Sequence, residues 1–166
     1  MLLKNNHHLL TVVSFLFFWS VLIWILPGQT LAAERTAVMP FEINAPADLE
    51  YLETGLPTML IDSLESKGLE VVDLDRIRSI ISSEDITRLN IEESGKVALQ
   101  AESRYAVYGS FSTVDESISL DARLVDAFGE KETVPFYVVK EGVINILPAV
   151  EELADKIYQE LLKEDR

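Results

Sequence analysis

The sequence predicts a single α/β domain in which helices cover a mixed β-sheet. Strict alternation of apolar and polar residues over 117–124 is typical of a strand with one buried face and one solvated face. Residues 105–114 are rich in aromatic and β-branched side chains, and Asp115-Glu116 between the two segments indicates a β-hairpin. Segments with helical periodicity lie on both sides of this hairpin. The predicted order of elements is therefore β-α-β-α-α-β-β-β-α.

The domain is predicted to begin with a strand and a long helix. The apolar run 36–41 forms the strand, and Pro40 suits a strand end or a sheet edge because it has no N–H to donate. The helix continues to about residue 67, with Pro57 either bending it or marking its first turn, and Gly68 ends it. Its apolar residues recur at three- and four-residue steps: Leu52, Leu56, Met59, Leu60 and Leu64.

The middle of the chain is predicted to hold a short strand and two helices. Residues 70–73 form the strand, and Asp75 is expected to cap the helix that follows. Asn90 and Glu93 have the spacing of a capping box, which predicts the start of a second helix over 92–101.

After the hairpin, residues 126–130 predict a turn and 134–140 a third consecutive strand, with Pro135 near its start or on an edge. Gly109, in the middle of a strand, indicates a bulge or a close approach of two backbones. Gly55 is assigned to close packing of the first long helix against the sheet. The final helix is expected to bury one face, formed by Val150, Leu153, Ile157 and Leu161.

Residues 1–33 differ in composition from the rest of the chain. Lys4 is their only charged residue, an apolar run covers 9–26, and small residues follow it. This pattern predicts a secretory signal peptide, which leaves 34–166 as one domain in the periplasm. The apolar run is also close to the length that spans a bilayer. The alternative is therefore an uncleaved anchor in the inner membrane, with the domain outside the cytoplasm.

Composition restricts the chemistry available to the domain. The chain has no Cys, and its two histidines, His7 and His8, lie in the predicted signal peptide. Without these residues we expect no disulfide, no metal site of the usual zinc kind, no cofactor and no His-based triad. The formal net charge of −14 disfavours nucleic acid and anionic lipid as partners. Membrane contact is expected only through residues 9–26, if they are retained.

Five short motifs occur in an order that resembles a known family. They are VMPF at 38–41, YLETGLPTML at 51–60, VVDLDR at 71–76, YAVYGS at 105–110 and LDARLVD at 120–126. Together they resemble the amino-terminal-type domain of TolB and the wider group of CsgG-like bacterial envelope proteins. The resemblance implies a periplasmic, non-enzymatic domain that binds another envelope protein or assembles with copies of itself. It carries over no catalytic residue, and the lipidated cysteine of some relatives is missing.

Four residues form the predicted interface. Tyr108 lies on the strand face opposite to that of the core aromatic residues, so it is expected to face solvent or a partner. Tyr137, on the third strand of the meander, has a similar position. Asp115 and Glu116 occupy the hairpin turn and place acidic groups nearby. Exposed tyrosines are common at the centres of protein interfaces.

The alternative function is a carboxylate-based enzyme, or a ligand-binding protein, acting on cell-wall glycan or peptide. Its candidate acid pairs are Asp73 with Asp75 and Asp115 with Glu116. Calcium binding by Asp73 and Asp75 is a related option. A helix cap and a solvated turn explain these acids without any chemistry. We therefore predict no catalytic residue and a domain that is not an enzyme.

The alternation over 117–124 makes a direct prediction for Leu120. Its replacement by Asp would bury a carboxylate among apolar side chains, which destabilises a domain by more than about 4 kcal/mol. We expect Leu120→Asp to be unfolded by circular dichroism, whereas Arg123→Asp on the opposite face remains folded. A folded, soluble Leu120→Asp protein would overturn the assignment of the two faces.

Overall fold

The computed structural model describes residues 35–86 and 88–164, so the predicted signal peptide lies outside the described residues. The strands are β1 (Thr36–Val38), β2 (Glu42–Asn44), β3 (Tyr105–Val114), β4 (Ser117–Asp126) and β5 (Val134–Glu141). The helices are α1 (Leu52–Ser66), α2 (Leu74–Ser83), α3 (Ile91–Gln100) and α4 (Ile146–Glu164), with 3-10 turns at Ala47–Leu49 and Val143–Asn145. Among these described helices, none combines the length and the apolar character needed to cross a membrane. The predicted α/β class with a mixed sheet is confirmed.

Strand β3 lies at the centre of the sheet. It pairs with β1 and then with β2 in parallel on one side, and with β4 in antiparallel fashion on the other. Strand β5 pairs with β4 and ends the sheet. The β3–β4 hairpin closes through Asp115, whose φ of 54° lies in the left-handed region that Asp tolerates.

The edge strand is interrupted where Pro40 occurs. Val38 pairs with Val107 and Glu42 pairs with Ser110, so the edge strand has one more residue than the matching part of β3. An extra residue of this kind is a β-bulge, and it bends the strand that contains it. The strand predicted over 36–41 therefore ends at Val38, because Pro40 cannot donate to the ladder, and β2 over 42–44 was not predicted.

The predicted strand over 70–73 is only an isolated bridge. Val71 pairs with Thr36, supported by hydrogen bonds from the Thr36 N–H to the Glu70 carbonyl and from the Val72 N–H to the Thr36 carbonyl, both 2.9 Å. The pairing ends there because Asp73 is already the N-cap residue of helix α2.

The caps of α2 and α3 differ in how well they were predicted. Asp73, not Asp75, caps α2: its Oδ1 accepts from the N–H groups of Asp75 at 2.8 Å and Arg76 at 3.3 Å. Asp75 lies in the first turn, since the helix begins two residues earlier than expected. The predicted start of α3 is confirmed, because Asn90 Oδ1 accepts from the Glu93 N–H at 2.9 Å.

Helices α1 and α4 cover most of one face of the sheet. The alternating residues of β4 predicted to be buried are all less than 4% exposed, which confirms the assignment of that face. They pack in one cluster with the buried sides of both helices: Leu52, Leu56, Leu60 and Leu64 of α1, and Val150, Leu153, Ile157 and Leu161 of α4. Helix α1 runs through Pro57, so this proline does not mark its first turn.

Helices α2 and α3 cover only part of the second face. They pack beside the first residues of β3 and the last residues of β4 in a second cluster, with these members: Ala37, Met39, Val72, Ile77, Val97, Ala98, Ala101, Ala106, Tyr108 and Val125. The rest of this face, towards the β3–β4 turn and β5, carries no helix among the described elements.

An ionic network connects α4 to the last strand of the sheet. Lys156 Nζ donates to the main-chain carbonyl of Tyr137 at 2.8 Å, which occupies one acceptor of β5. Glu152 accepts from Lys140 of β5 at 2.6 Å and from Lys156 at 2.9 Å. Hydrogen bonding to Lys140, and then to Lys156, lowers the pKa of Glu152 from 4.5 to about 2. Lysine side chains and Pro135 are typical protections of an edge strand.

The two internal glycines named above occupy different environments. A Cβ on Gly109 would collide with the carbonyl oxygen of Asp121 and lie 2.9 Å from the Cα of Ala122, which confirms a close approach of two backbones. A Cβ on Gly55 would meet only the Cε of Met59, at 4.0 Å. The expectation that Gly55 packs closely against the sheet is therefore wrong.

Alanine substitutions at these glycines should have opposite effects on stability. Gly109→Ala is expected to lower the free energy of unfolding by about 1–3 kcal/mol or more, because two strand backbones must separate. Gly55→Ala should raise it by about 0.5–1 kcal/mol, through the helix propensity of Ala. Urea unfolding followed by circular dichroism measures both. Equal midpoints for Gly109→Ala and the unaltered protein would contradict the close approach.

Glu152 makes stability depend on pH. Because its folded-state pKa is lowered, its contribution is complete above pH 4.5 and is lost as pH falls towards about 2. Both ion pairs are partly exposed, so Glu152→Gln should cost only about 0.5–1 kcal/mol at pH 7. The difference from the unaltered protein should disappear near pH 2, as measured by urea unfolding.

The control for this effect is Glu151→Gln, since Glu151 is the exposed neighbour on the same helix. It should leave the free energy of unfolding unchanged at both pH values. A Glu152→Gln effect of equal size at pH 7 and near pH 2 would show that charge pairing is not its origin.

Candidate functional site

The uncovered part of the second sheet face forms the floor of a groove. Cross-strand register places Tyr108 opposite Arg123, and Asp121 between Ser110 and Tyr137. The groove has a volume of about 1060 Å³. One wall is the bulged edge at Pro40, Phe41 and Glu42, and another is the connection between α2 and α3, with Ile86, Arg88 and Leu89. We call this depression the sheet groove.

Tyr108 borders the sheet groove but is not the exposed residue that the sequence predicted. It is 8% exposed, because its ring packs into the cluster beneath α2 and α3. The guanidinium carbon of Arg123 lies 5.9 Å from the centre of the Tyr108 ring, in the range of a cation–π contact. Alternation placed Tyr108 on the correct face, but it did not indicate that helices cover this part of the face.

Tyr137 is the most accessible aromatic residue of the sheet groove. It is 58% exposed, and it lies across the strands from Asp121. Its main-chain carbonyl accepts the hydrogen bond from Lys156, so the ring projects from a strand that is held in place. A tyrosine has only two side-chain torsions to fix on binding, and its strand is already held in place, which favours a role as an anchor.

Charges of both signs surround this tyrosine. Asp121 accepts from Ser119 Oγ at 3.1 Å, and Arg123 lies two residues further along β4. Glu42 and Arg88 stand on the walls. A floor with donors, acceptors and opposite charges suits recognition of polar and charged groups on a partner.

Asp121 and Arg123 were missed as site residues. Their alternation assigned them only to the solvated face of β4. The available indication was their register: both lie on the face that also carries Tyr108 and Tyr137.

Asp115 and Glu116 do not lie beside the two tyrosines. They line a separate depression of about 510 Å³ at the end of the hairpin, which we call the turn hollow. Tyr137 is four residues along β5 from Glu141, which pairs with Ser117 next to the turn, a distance of about 13 Å at 3.3 Å per residue. The four predicted interface residues thus divide between two surfaces.

The acid pairs considered for catalysis have structural positions. Asp73 already accepts two backbone N–H groups at the start of α2, and Asp75 is exposed beside it. Within residues 35–86 and 88–164, no group of three or more His, Cys, Asp or Glu side chains is arranged to hold a metal ion.

A comparison of sequences finds one partial relative. No family model matches the chain. A segment of 54 residues is 52% identical to part of the outer membrane protein assembly factor BamA of Nitratidesulfovibrio vulgaris. The segment is 32% of this chain and 7% of that protein, so the chain spans only a small part of the relative that it matches.

Solved structures show the same fold at low sequence identity. TolB from Acinetobacter baumannii has a TM-score of 0.54 and 17% identity, over 78% of this chain and 28% of TolB. The lipoprotein GNA1162 from Neisseria meningitidis has a TM-score of 0.52 and 15% identity, over 79% of this chain and 95% of GNA1162. The carboxy-terminal domain of LpoB from Salmonella enterica has a TM-score of 0.51 and 14% identity, over 67% of this chain and 86% of the LpoB domain.

These likenesses establish the fold, not the activity. They confirm the predicted resemblance to TolB at the level of the fold. The resemblance to CsgG-like proteins stays a prediction.

Proposed function

We propose that this domain is a non-catalytic interaction module of the bacterial envelope that serves outer-membrane protein assembly. It resides in the periplasm and binds another envelope protein through the sheet groove. The 54-residue segment similar to an outer membrane protein assembly factor supports the pathway. The fold shared with TolB and with a lipoprotein supports the location.

The observation that carries the proposal is the uncovered half of the second sheet face. Helices α2 and α3 cover only one end of this face, and beyond them the antiparallel strands β3, β4 and β5 present a charged floor and the exposed ring of Tyr137 to solvent. Aromatic and arginine side chains supply most of the binding energy in protein interfaces. A partner that fills the sheet groove would complete the layer that α2 and α3 begin.

The side chains argue for binding over turnover. No His or Cys occurs beyond His8 in the sequence, which removes a histidine general base and a cysteine nucleophile. Glycoside hydrolysis needs two carboxylates on opposite sides of one bond. In the acid pair of Asp73 and Asp75, the first is occupied by the helix that it caps.

A cross-linking experiment with matched positions tests the proposal. A photoactivatable benzoyl-phenylalanine replaces Tyr137 in the full chain, expressed in its own cells, and replaces Tyr51 in a control. Tyr51 is 63% exposed, against 58% for Tyr137, but lies at the start of α1. We expect position 137 to capture an outer-membrane assembly factor and position 51 not to capture it.

Tyr137→Ala gives a second measurement on the same interface. We expect recovery of the captured partner by affinity purification to fall about 10-fold or more, as for a binding hot spot. The free energy of unfolding should change by less than about 0.5 kcal/mol, since the ring is exposed. Equal capture at positions 137 and 51, or capture of a second copy of the chain alone, would contradict the proposal.

A further inference from the structure

The turn hollow is a preformed surface at the end of the β3–β4 hairpin. The N–H of Gly142 donates to the carbonyl of Glu116 at 2.6 Å, which ties the hairpin turn to the segment after β5. Asn145 Nδ2 donates to the carbonyl of Glu141 at 2.6 Å and fixes the start of the turn Val143–Asn145. Leu49, which is buried, also lines the hollow. The shape therefore does not depend on a partner.

Exposed aliphatic side chains continue from the edge of the turn hollow, which Val143 lines, onto the start of α4. Ile144 is 91% exposed, and its Cγ2 lies 3.8 Å from the Cβ position of Gly142, which lines the hollow. Leu147 is 53% exposed and follows three residues later, on the same side of the helical segment. Val143 is 42% exposed and lines the hollow itself. Adjacent exposed aliphatic residues with a polar border are typical of a protein-binding surface.

The charge around the rim of the turn hollow has a single sign. Asp48, Asp115, Glu116 and Glu141 line the turn hollow, and no Lys or Arg among the described residues does so. All four residues are exposed. Their combined field attracts cations and repels anionic surfaces, so it selects the charge of whatever covers the exposed aliphatic residues.

We propose that the turn hollow is a second docking surface, for a basic segment of a partner protein. Lys or Arg side chains of that segment enter the hollow, and an apolar side chain packs on Ile144 and Leu147. A second copy of this chain is disfavoured, since its formal charge is −14. An anionic membrane is disfavoured for the same reason. This proposal stands on its own observations and does not depend on the sheet groove.

Cross-linking at Ile144 tests the surface in the full chain. Benzoyl-phenylalanine replaces Ile144 in cells that make the protein, and replaces Leu99 as the control. Leu99 is 44% exposed on α3, away from the turn hollow. The cross-linked peptide of the partner is identified by mass spectrometry. We expect capture at position 144 only, by a segment with net positive charge.

Neutral, isosteric substitutions separate charge from shape. The variant set is Asp48→Asn, Asp115→Asn, Glu116→Gln and Glu141→Gln. The control set neutralises four exposed carboxylates elsewhere: Asp62→Asn, Glu65→Gln, Glu84→Gln and Glu132→Gln. Loss of four rim charges should reduce capture at position 144 by about 10-fold or more, because the attraction to basic side chains is removed. The control set should leave it unchanged.

Four outcomes would overturn this proposal, and three of them concern what position 144 captures. They are unchanged capture in the neutral variant set, a cross-linked segment that is neutral or acidic, and capture of lipid or of a second copy alone. A further decisive result is no capture at position 144 while position 137 still captures its partner. That result would reject the turn hollow and leave the function of the sheet groove intact.

Discussion

The pairing of β3 is the constraint on which the rest of the structure depends. Three strands pair with it directly, and β5 joins the sheet only through β4. The β3–β4 pair comes so close at Gly109 that no other side chain fits beside Asp121. Once these two strands are paired, the register determines on which of the two faces each of their residues lies. The helices then pack on the apolar residues of each face.

The two faces then have different roles. Helices α1 and α4 bury most of one face, and this face supplies most of the core. The other face is covered at one end by α2 and α3, which leaves the sheet groove at the other. The contacts of Lys156 and Glu152 hold β5 in place, so the accessible ring of Tyr137 rests on a stable strand. Binding surfaces on rigid elements of this kind need little reorganisation.

Local patterns predicted much of the fold, and long-range packing explains the rest. The alternation in β4 identified the buried face, and Gly109 indicated the close approach of backbones. Both features can be predicted from residues that are close together in the sequence. The burial of Tyr108 was not predictable in this way, because it depends on where α2 and α3 lie. The separation of Tyr137 from the acidic turn also follows from strand length and register, not from residue type.

Hydroxyl-radical footprinting in isolated envelopes tests the central claim, that the uncovered sheet face is occupied in the cell. Tyr137 and Tyr51 are similarly exposed in the free protein, so they should be oxidised at comparable rates after purification. In envelopes we expect oxidation of Tyr137 to fall about 10-fold while that of Tyr51 stays unchanged. Equal oxidation of both residues in envelopes, at the rates of the purified protein, would contradict the account.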